Sequence, residues 1–411
     1  MSTLKVNKLR DTAGSADAIT LDPNGGAVLA GVTTVTSVKV GAAVTISESG
    51  IEASGIGITC ANINGTQIGG RRNLIINGAM LVNQRGSSST SDGYQTVDRY
   101  QAGWNGGGVT QSQGDLGSSD TPFTLGFRKV FKLTNTSTAT GAANYRDIRY
   151  YVEAQDIANS GWELSSSSSN ITLSFWVRAS VAQTYYFFIY VPDSSKHYTT
   201  SFALSANTWT KVIKTIPGAS GLTVNNDTGN GLNIQIAPFY GTNFTTSGQA
   251  VDTWGTWSSS SRVPDMTSTW ANTSNSTFEI TGLQLEVGSQ ATAFEHRSYH
   301  EERELCRRYY HAIVGKMGSW GSAVAYSTTD AQGWYSIHPE MRAAPTFTWT
   351  GTLKLEDGAS GKTTSNTTAS TTTGPHGFSW WTGGFSSLVD NNVYYVYESG
   401  QTGYFQLDAE L

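Results

Sequence analysis

Two cysteines in 411 residues, Cys60 and Cys306, exclude a disulfide scaffold and read as buried free thiols. Charge is also scarce. Asp, Glu, Lys and Arg make up 14% of the chain, against about 25% in an average soluble protein, and the net charge of −5 supplies no basic stripe for nucleic acid. No run is long and apolar enough to span a membrane. Met1-Ser2-Thr3-Leu4-Lys5 lacks the apolar stretch of a secretory signal, so synthesis in a cytosol is expected, with the chain staying there or leaving as part of an assembly. The most telling absence is local. No Trp, Tyr or Phe precedes Tyr94, whereas 12 Trp, 19 Tyr and 15 Phe lie from there on. Aromatic side chains carry much of the area that a core buries, so the first 93 residues suit a thin structure and the remainder suits thick β domains.

Catalytic signatures are missing too. The chain has no Gly-x-Ser-x-Gly elbow, phosphate-binding glycine loop, His-Glu-x-x-His or Cys-x-x-Cys. His296 and His300 are four apart, but a helix capped at Ser298 leaves His296 outside it, so both read as packing or surface groups. Asn225 to Gly231 offers oxygen ligands without the spacing of a calcium loop, and reads as a turn. No enzymatic activity, cofactor or metal is expected.

What is present is β signal. Residues 1–72 hold short alternating runs between glycines, such as Val32 to Val40, Ala43 to Ile46 and Ile63 to Ile68. One copy cannot bury enough area to be stable, so an intertwined oligomer, a trimer, is expected. Residues 73–297 suggest an antiparallel jelly-roll sandwich. Ile171, Leu173, Phe175 and Val177 alternate inward, with Trp176 and Arg178 opposite. Tyr185 to Val191 is apolar on both faces, and is either covered twice or carries an aromatic shelf of Tyr186, Phe188 and Tyr190. The parity of Phe278 and Ile280 changes to that of Leu283 and Leu285 at Gly282, which predicts a bulge. Residues 298–313 predict a connecting helix: Ser298 and Glu301 form a capping box, Leu305, Tyr309 and Ile313 share a face, and Glu304 can reach Arg308.

Residues 314–411 read as a small β tip with five tryptophans, Trp320, Trp334, Trp349, Trp380 and Trp381. Leu353 to Glu356 leads into an Asp357-Gly358 turn, Val393 to Tyr397 is expected to pair with Tyr404 to Leu407, and Thr363 to Thr373 reads as an exposed loop. Four Lys/Arg against eight Asp/Glu leave the tip at −4, which argues against capture of an anionic polymer. Its aromatics suit sugars instead, because a flat ring stacks under the C–H face of a pyranose while amides and carboxylates bind the hydroxyls. The candidates are Trp380, Trp381 and Tyr394, with Trp254 and Trp257 of the sandwich as a weaker set. Adjacent on a strand, Trp380 and Trp381 point to opposite faces, so at most one is core.

Two stretches resemble a known family. Arg72-Asn73-Leu74-Ile75-Ile76-Asn77-Gly78, with Asn83-Gln84-Arg85-Gly86 and Asp98-Arg99-Tyr100, is similar to the opening of a module common in bacteriophage tail fibres. Ile280 to Gly288, Ala291 to Tyr299 and Cys306-Arg307-Arg308-Tyr309-Tyr310 resemble its close, and Met341 to Thr346 is typical of the domain that follows. Ala79-Met80 and Tyr100 depart from the family's usual residues. In podovirus fibres, those of cyanophages included, the module is similar to carbohydrate-binding jelly rolls. The resemblance implies an elongated all-β homotrimer in the virion, joined to a tail or virion adaptor through its N-terminus. It would attach to surface polysaccharide or lipopolysaccharide of a bacterial host, with no nucleic acid and no membrane insertion. A structural or capsid-decorating fibre and a tailspike-like depolymerase are the alternatives.

Overall fold

The computed structural model describes residues 72–314, 321–358, 361–364, 366, 370–398 and 403–411, and six short strands before them. The chain divides into two compact units, Met1–Ala61 and Asn62–Leu411. In the first, β1 (Lys8–Leu9), β2 (Ile19–Leu21) and β3 (Ala27–Leu29) make one antiparallel sheet, and β4 (Ser37–Val40), β5 (Val44–Ser47) and β6 (Gly50–Ala53) another. The strand expected at Ile63 to Ile68, and Cys60, lie outside the described residues.

The second unit opens with a sandwich. Its strands are β7 (Ser88–Ser89), β8 (Tyr100–Asn105), β9 (Gly108–Asp115), β10 (Lys129–Ser137), β11 (Tyr145–Glu153) and β12 (Asn170–Ala179). They continue with β13 (Gln183–Val191), β14 (Lys196–Leu204), β15 (Thr210–Pro217), β16 (Asn230–Tyr240), β17 (Thr253–Thr256) and β18 (Ser276–Val287), with short helices α1 (Thr121–Thr124) and α2 (Ala154–Ala158) between. Two antiparallel six-stranded sheets result, ordered β15-β12-β18-β10-β9-β7 and β17-β14-β13-β16-β11-β8, and their inner faces share one core. The chain passes repeatedly from sheet to sheet, as expected of a jelly roll.

Ile171, Leu173, Phe175 and Val177 are buried in that core, as their alternation predicts. The bulge falls where the parity break places it: the β12–β18 register slips between Ser174 and Trp176, opposite Gly282 at φ +65°. A Cβ on Gly282 would also meet Phe127 Cζ at 2.7 Å. On β13 the outer face is roofed, because Phe188 packs under Phe244, Trp257 and Val263 from the 241–268 connection while Tyr186 and Tyr190 stay half-buried.

The stretches that resemble the opening and close of a fibre module fasten to each other. Asn73 donates to Leu283 O and accepts from Ile75 N and Leu285 N at 3.0 Å each, and Arg297 Nη2 donates to Asn73 O at 2.6 Å. Asn77 bridges Val82 and Asp98 O, and Leu283 N reaches Gly78 O at 3.0 Å. Asn73 and Asn77 are structural clasps.

Helix α3 (Tyr299–Arg307) has its N-cap at Ser298, which accepts from Glu301 N at 3.2 Å. It ends well before residue 313. Tyr309 and Ile313 are not on it, Glu304 pairs with Arg307, and Arg308 reaches Glu153 instead. The physical reason lies downstream: Tyr310 to Val314 forms β19 (Tyr310–Val314) against the last strand of the chain, which a lone helical turn cannot match. The helix packs on its own chain, with Cys306 buried among Ile76, Val82 and Tyr309.

The tip continues with β20 (Gly321–Ala325), β21 (Ala331–Ser336), β22 (Thr346–Trp349), β23 (Leu353–Glu356), β24 (Gly361–Thr363), β25 (Ser370–Gly374), β26 (Gly377–Thr382), β27 (Val393–Glu398) and β28 (Tyr404–Asp408). A sheet β19-β28-β22 adjoins a seven-stranded sheet β24-β23-β27-β20-β21-β26-β25. Two expectations are corrected. β27 and β28 do not pair; each takes two other partners in a different sheet, because alternation marks a strand without naming its neighbour. The segment Thr363 to Thr373 is not all loop, since its threonines supply most of edge strand β25.

Buried ion pairs of Glu410 tie the tip to the sandwich. Arg99, at φ +74°, is 1% exposed, and its guanidinium lies 3.4 Å over the Tyr309 ring, donates to Tyr151 O at 2.6 Å and pairs with Glu410 just past β28.

Candidate functional site

The seven-stranded sheet buries one face and leaves the other open. On β26 the inward positions are Phe378, Trp380 and Thr382, and Trp381 points out. Trp380 is 3% exposed and fills the space above Gly333 on β21, where a Cβ would come within 2.4 Å of its Cζ2. Tyr394 is likewise buried at 1%, its hydroxyl accepting from Val389 N at 2.9 Å. Neither ring can stack on a ligand, and both leave the candidate set.

Their neighbours replace them. Trp381 is 42% exposed, Trp334 59% and Tyr395 58%, all on the open face. Register gives the layout. Trp381 faces Gln332, which faces Val324, which faces Val393, so one row crosses four adjacent strands. In the next row Ser379 pairs with Trp334, and Ser322 with Tyr395, which also faces Glu356. Strands spaced about 4.8 Å apart put Trp334 and Tyr395 roughly 10 Å from one another. The centre of this face carries rings, hydroxyls and an amide, and its charged groups, the Lys354–Glu356 pair at 3.2 Å, sit at one side. Such a face can stack on apolar ring surfaces and bond hydroxyls, and its Lys354 is already paired with Glu356.

Trp334 and Tyr395 are not among the rings that the sequence pattern marks as candidates. A signal existed for Trp334: Ala331 and Gly333, the small residues of β21, share the face beneath Trp380, which forces Trp334 outward. For Tyr394 and Tyr395 there was none, because the strand is apolar at both parities.

The sandwich candidates have structural work. Trp254 is half-buried, donates to Pro217 O at 2.6 Å and packs edge-on against Tyr198. Trp257 lies flat on Tyr190, centroids 4.4 Å apart, so each ring occupies the other's face. His296 is a packing group between Phe127 and Phe294, with Nε2 3.0 Å from Leu125 O. In the Asn225 to Gly231 turn, Asn225 binds Asp193 and Asp227 Oδ1 accepts from Gly229 N. Among the described residues no His, Cys, Asp and Glu cluster could hold a metal, and no helix is long and apolar enough to cross a membrane.

No family model matches the chain, and no curated protein matches it. Among solved structures, similarity is found to the N-terminal CBM22-1-CBM22-2 tandem domain of Paenibacillus barcinonensis Xyn10C, at 10% identity over 86% of this chain and 100% of that one, TM-score 0.25. The N-terminal cellulose-binding domain of Cellulomonas fimi β-1,4-glucanase C matches at 13% identity over 51% of this chain and 97% of that one, TM-score 0.24. A cyclase from Fischerella sp. TAU matches at 8% identity over 50% of this chain and 90% of that one, TM-score 0.28. Likenesses this slight decide neither fold nor function, and the chemistry of the open face has to be judged on its own residues.

Proposed function

We propose that the chain is a bacteriophage tail fibre protein that attaches the virion to a bacterial surface by binding a neutral glycan on the open aromatic face of its tip. The observation that carries this reading is the placement of Trp334, Trp381 and Tyr395, each about half exposed, on one face of a sheet whose other face packs on the core of the tip. An exposed apolar patch rimmed by polar residues is the kind of surface that marks an interaction site. The motifs shared with fibre modules support the virion assignment. In this reading three chains intertwine through residues 1–72, the N-terminus joins a virion adaptor, and weak glycan contacts are multiplied across the trimer. The fibre acts by binding, without catalysis.

The test is adsorption of the purified chain to host-surface polysaccharide, with Trp334→Ala, Trp381→Ala and Tyr395→Ala. Each stacked ring is worth about 0.5–1.5 kcal/mol, so each substitution is expected to weaken binding about two- to tenfold without loss of fold. Trp380→Ala is the contrast, costing about 3–5 kcal/mol of stability through its cavity. Undiminished binding by all three surface variants would refute the glycan face. A light-scattering mass of one chain would refute the trimer, and release of reducing ends from the polysaccharide would show a depolymerase instead.

A further inference from the structure

A second concave region lies where the tip meets the sandwich. It is a cleft of about 560 Å³, within the range of roughly 300–1,000 Å³ typical of small-molecule sites. The tip wall is one face of the sheet β19-β28-β22. Tyr404, Gln406 and Asp408 point into it from alternate positions of β28, and Thr348 and Thr346 stand opposite Gln406 and Asp408 on β22. The other face of this sheet is core, with Phe347, Phe405 and Leu407. The sandwich supplies Arg85, Tyr94 and Gln95. A sheet with an apolar side in the core and a polar side facing a cavity presents that polar side to the cavity.

The charges narrow the ligand. Arg85 is committed: its guanidinium lies 3.5 Å over the Tyr310 ring and reaches Asp408 at 3.0 Å and Glu410 at 3.3 Å. With Arg99 and Asp98 behind them, the group holds two arginines against three carboxylates, so it repels phosphate, sulfate and uronate. A cation would have to compete with two arginines for the same oxygens. What remains is neutral recognition. Asp408, whose side chain is 44% exposed, presents carboxylate oxygen to hydroxyl donors, Gln95 an amide, and Tyr404 a ring. Parts of the wall are held in place already: Thr348 donates to Gln406 Oε1, and Gln406 Nε2 to the Tyr310 hydroxyl, each at 2.9 Å.

We infer that this cleft is a second carbohydrate site, taking the end of a short uncharged oligosaccharide between the tip and the sandwich. It rests on the glycan-binding reading above but uses different residues from the open aromatic face.

The experiment is calorimetric titration of the full chain with a panel of neutral oligosaccharides (malto-, cello-, manno- and chito-series) and with oligogalacturonate as the charged counter-probe. The same titrations are run on a cleft pair, Tyr404→Ala and Gln95→Ala, and on a face pair, Trp334→Ala and Trp381→Ala. At least one neutral oligosaccharide is expected to bind wild type and the face pair with similar affinity, to bind the cleft pair at least tenfold more weakly, and to outbind oligogalacturonate. Unchanged affinity in the cleft pair, or loss of all binding in the face pair, overturns the cleft site. Should no oligosaccharide bind while the polysaccharide still adsorbs, the cleft fails and the proposed function stands; should neither bind, both fail.

Discussion

Removing the carboxylate of Glu410 should uncouple the tip from the sandwich. Arg99 has almost no access to water, and Glu410 is its one carboxylate partner among the described residues, the Tyr151 carbonyl and the Tyr309 and Tyr150 rings completing its surroundings. Burial works against the Arg99 charge, and the Glu410 carboxylate more than restores it, so its pKa stands well above the ordinary value. Glu410→Ala leaves that guanidinium buried and uncompensated, and also takes the 3.3 Å contact from Arg85. Breaking a buried pair on one side costs about 3–5 kcal/mol. Asp408→Ala, which removes a carboxylate 44% exposed beside the same Arg85, should cost under about 1 kcal/mol.

The assay is guanidinium denaturation followed by tryptophan fluorescence, which sees Trp334, Trp349, Trp380 and Trp381 in the tip and Trp162 and Trp270 in the sandwich core. Wild type is expected to lose both parts together. In Glu410→Ala the tip should melt first, giving two transitions, the earlier one about 3–5 kcal/mol less stable. A single transition within about 1 kcal/mol of wild type would refute the claim that this pair couples the two parts.

Two further outcomes follow from single buried groups. Asn73→Ala would strip partners from Ile75 N, Leu285 N and Leu283 O, at about 1–3 kcal/mol for each group left unpaired before relaxation, so a denaturation loss of at least about 2 kcal/mol is expected, against a small one for half-buried Asn83→Ala; equal losses would show that the clasp is not structural. For pH, burial pushes His311 down to about 4, with Arg307 and Arg303 adding to the effect, so its contribution is full above the ordinary value of 6.5 and is lost as pH falls toward 4. Burial pushes Asp98 up to about 6, offset in part by Arg85 and Gln84, so its contribution is full below 3.8 and is lost as pH rises through 6. The two slopes oppose each other between these values, each amounting to about 3 kcal/mol. His311→Gln should therefore gain on wild type by about that amount from pH 7 to pH 4, and Asp98→Asn from pH 4 to pH 7, in denaturation at the two pH values; pH-independent differences would refute both assignments.

Legibility in the sequence tracked how local each cause was. The β12 alternation, the Gly282 bulge and the Ser298 cap depend on a few neighbouring residues, and all three stand where the pattern puts them. The helix end does not, because β19 is set by a strand more than ninety residues later. The two faces of β13 could not be told apart until the 241–268 connection roofed one of them. The tip shows the same division within a single site. Period-2 alternation settles that Trp380 and Trp381 part company, and Gly333 decides which goes in. In Val393-Tyr394-Tyr395-Val396 both parities are apolar, so only the packing of the sheet selects Tyr395 as the exposed ring.

The cleft shows why the rest was hidden. Tyr404-Phe405-Gln406-Leu407-Asp408 alternates polar with apolar as plainly as any strand in the chain, and a sheet with one wet face can be read from it. What roofs that wet face cannot be read, because Arg85, Tyr94 and Gln95 are more than three hundred residues away and are held over it by tertiary contacts, among them Arg85 to Asp408 and Glu410, Tyr94 to Leu411 O and Arg99 to Glu410. The pair therefore has two consequences that one variant separates. If Glu410→Ala frees the tip, the oligosaccharide binding proposed for the cleft is expected to be lost with its sandwich wall, while the open face of Trp334, Trp381 and Tyr395, which belongs wholly to the tip, is expected to keep the polysaccharide binding proposed for it.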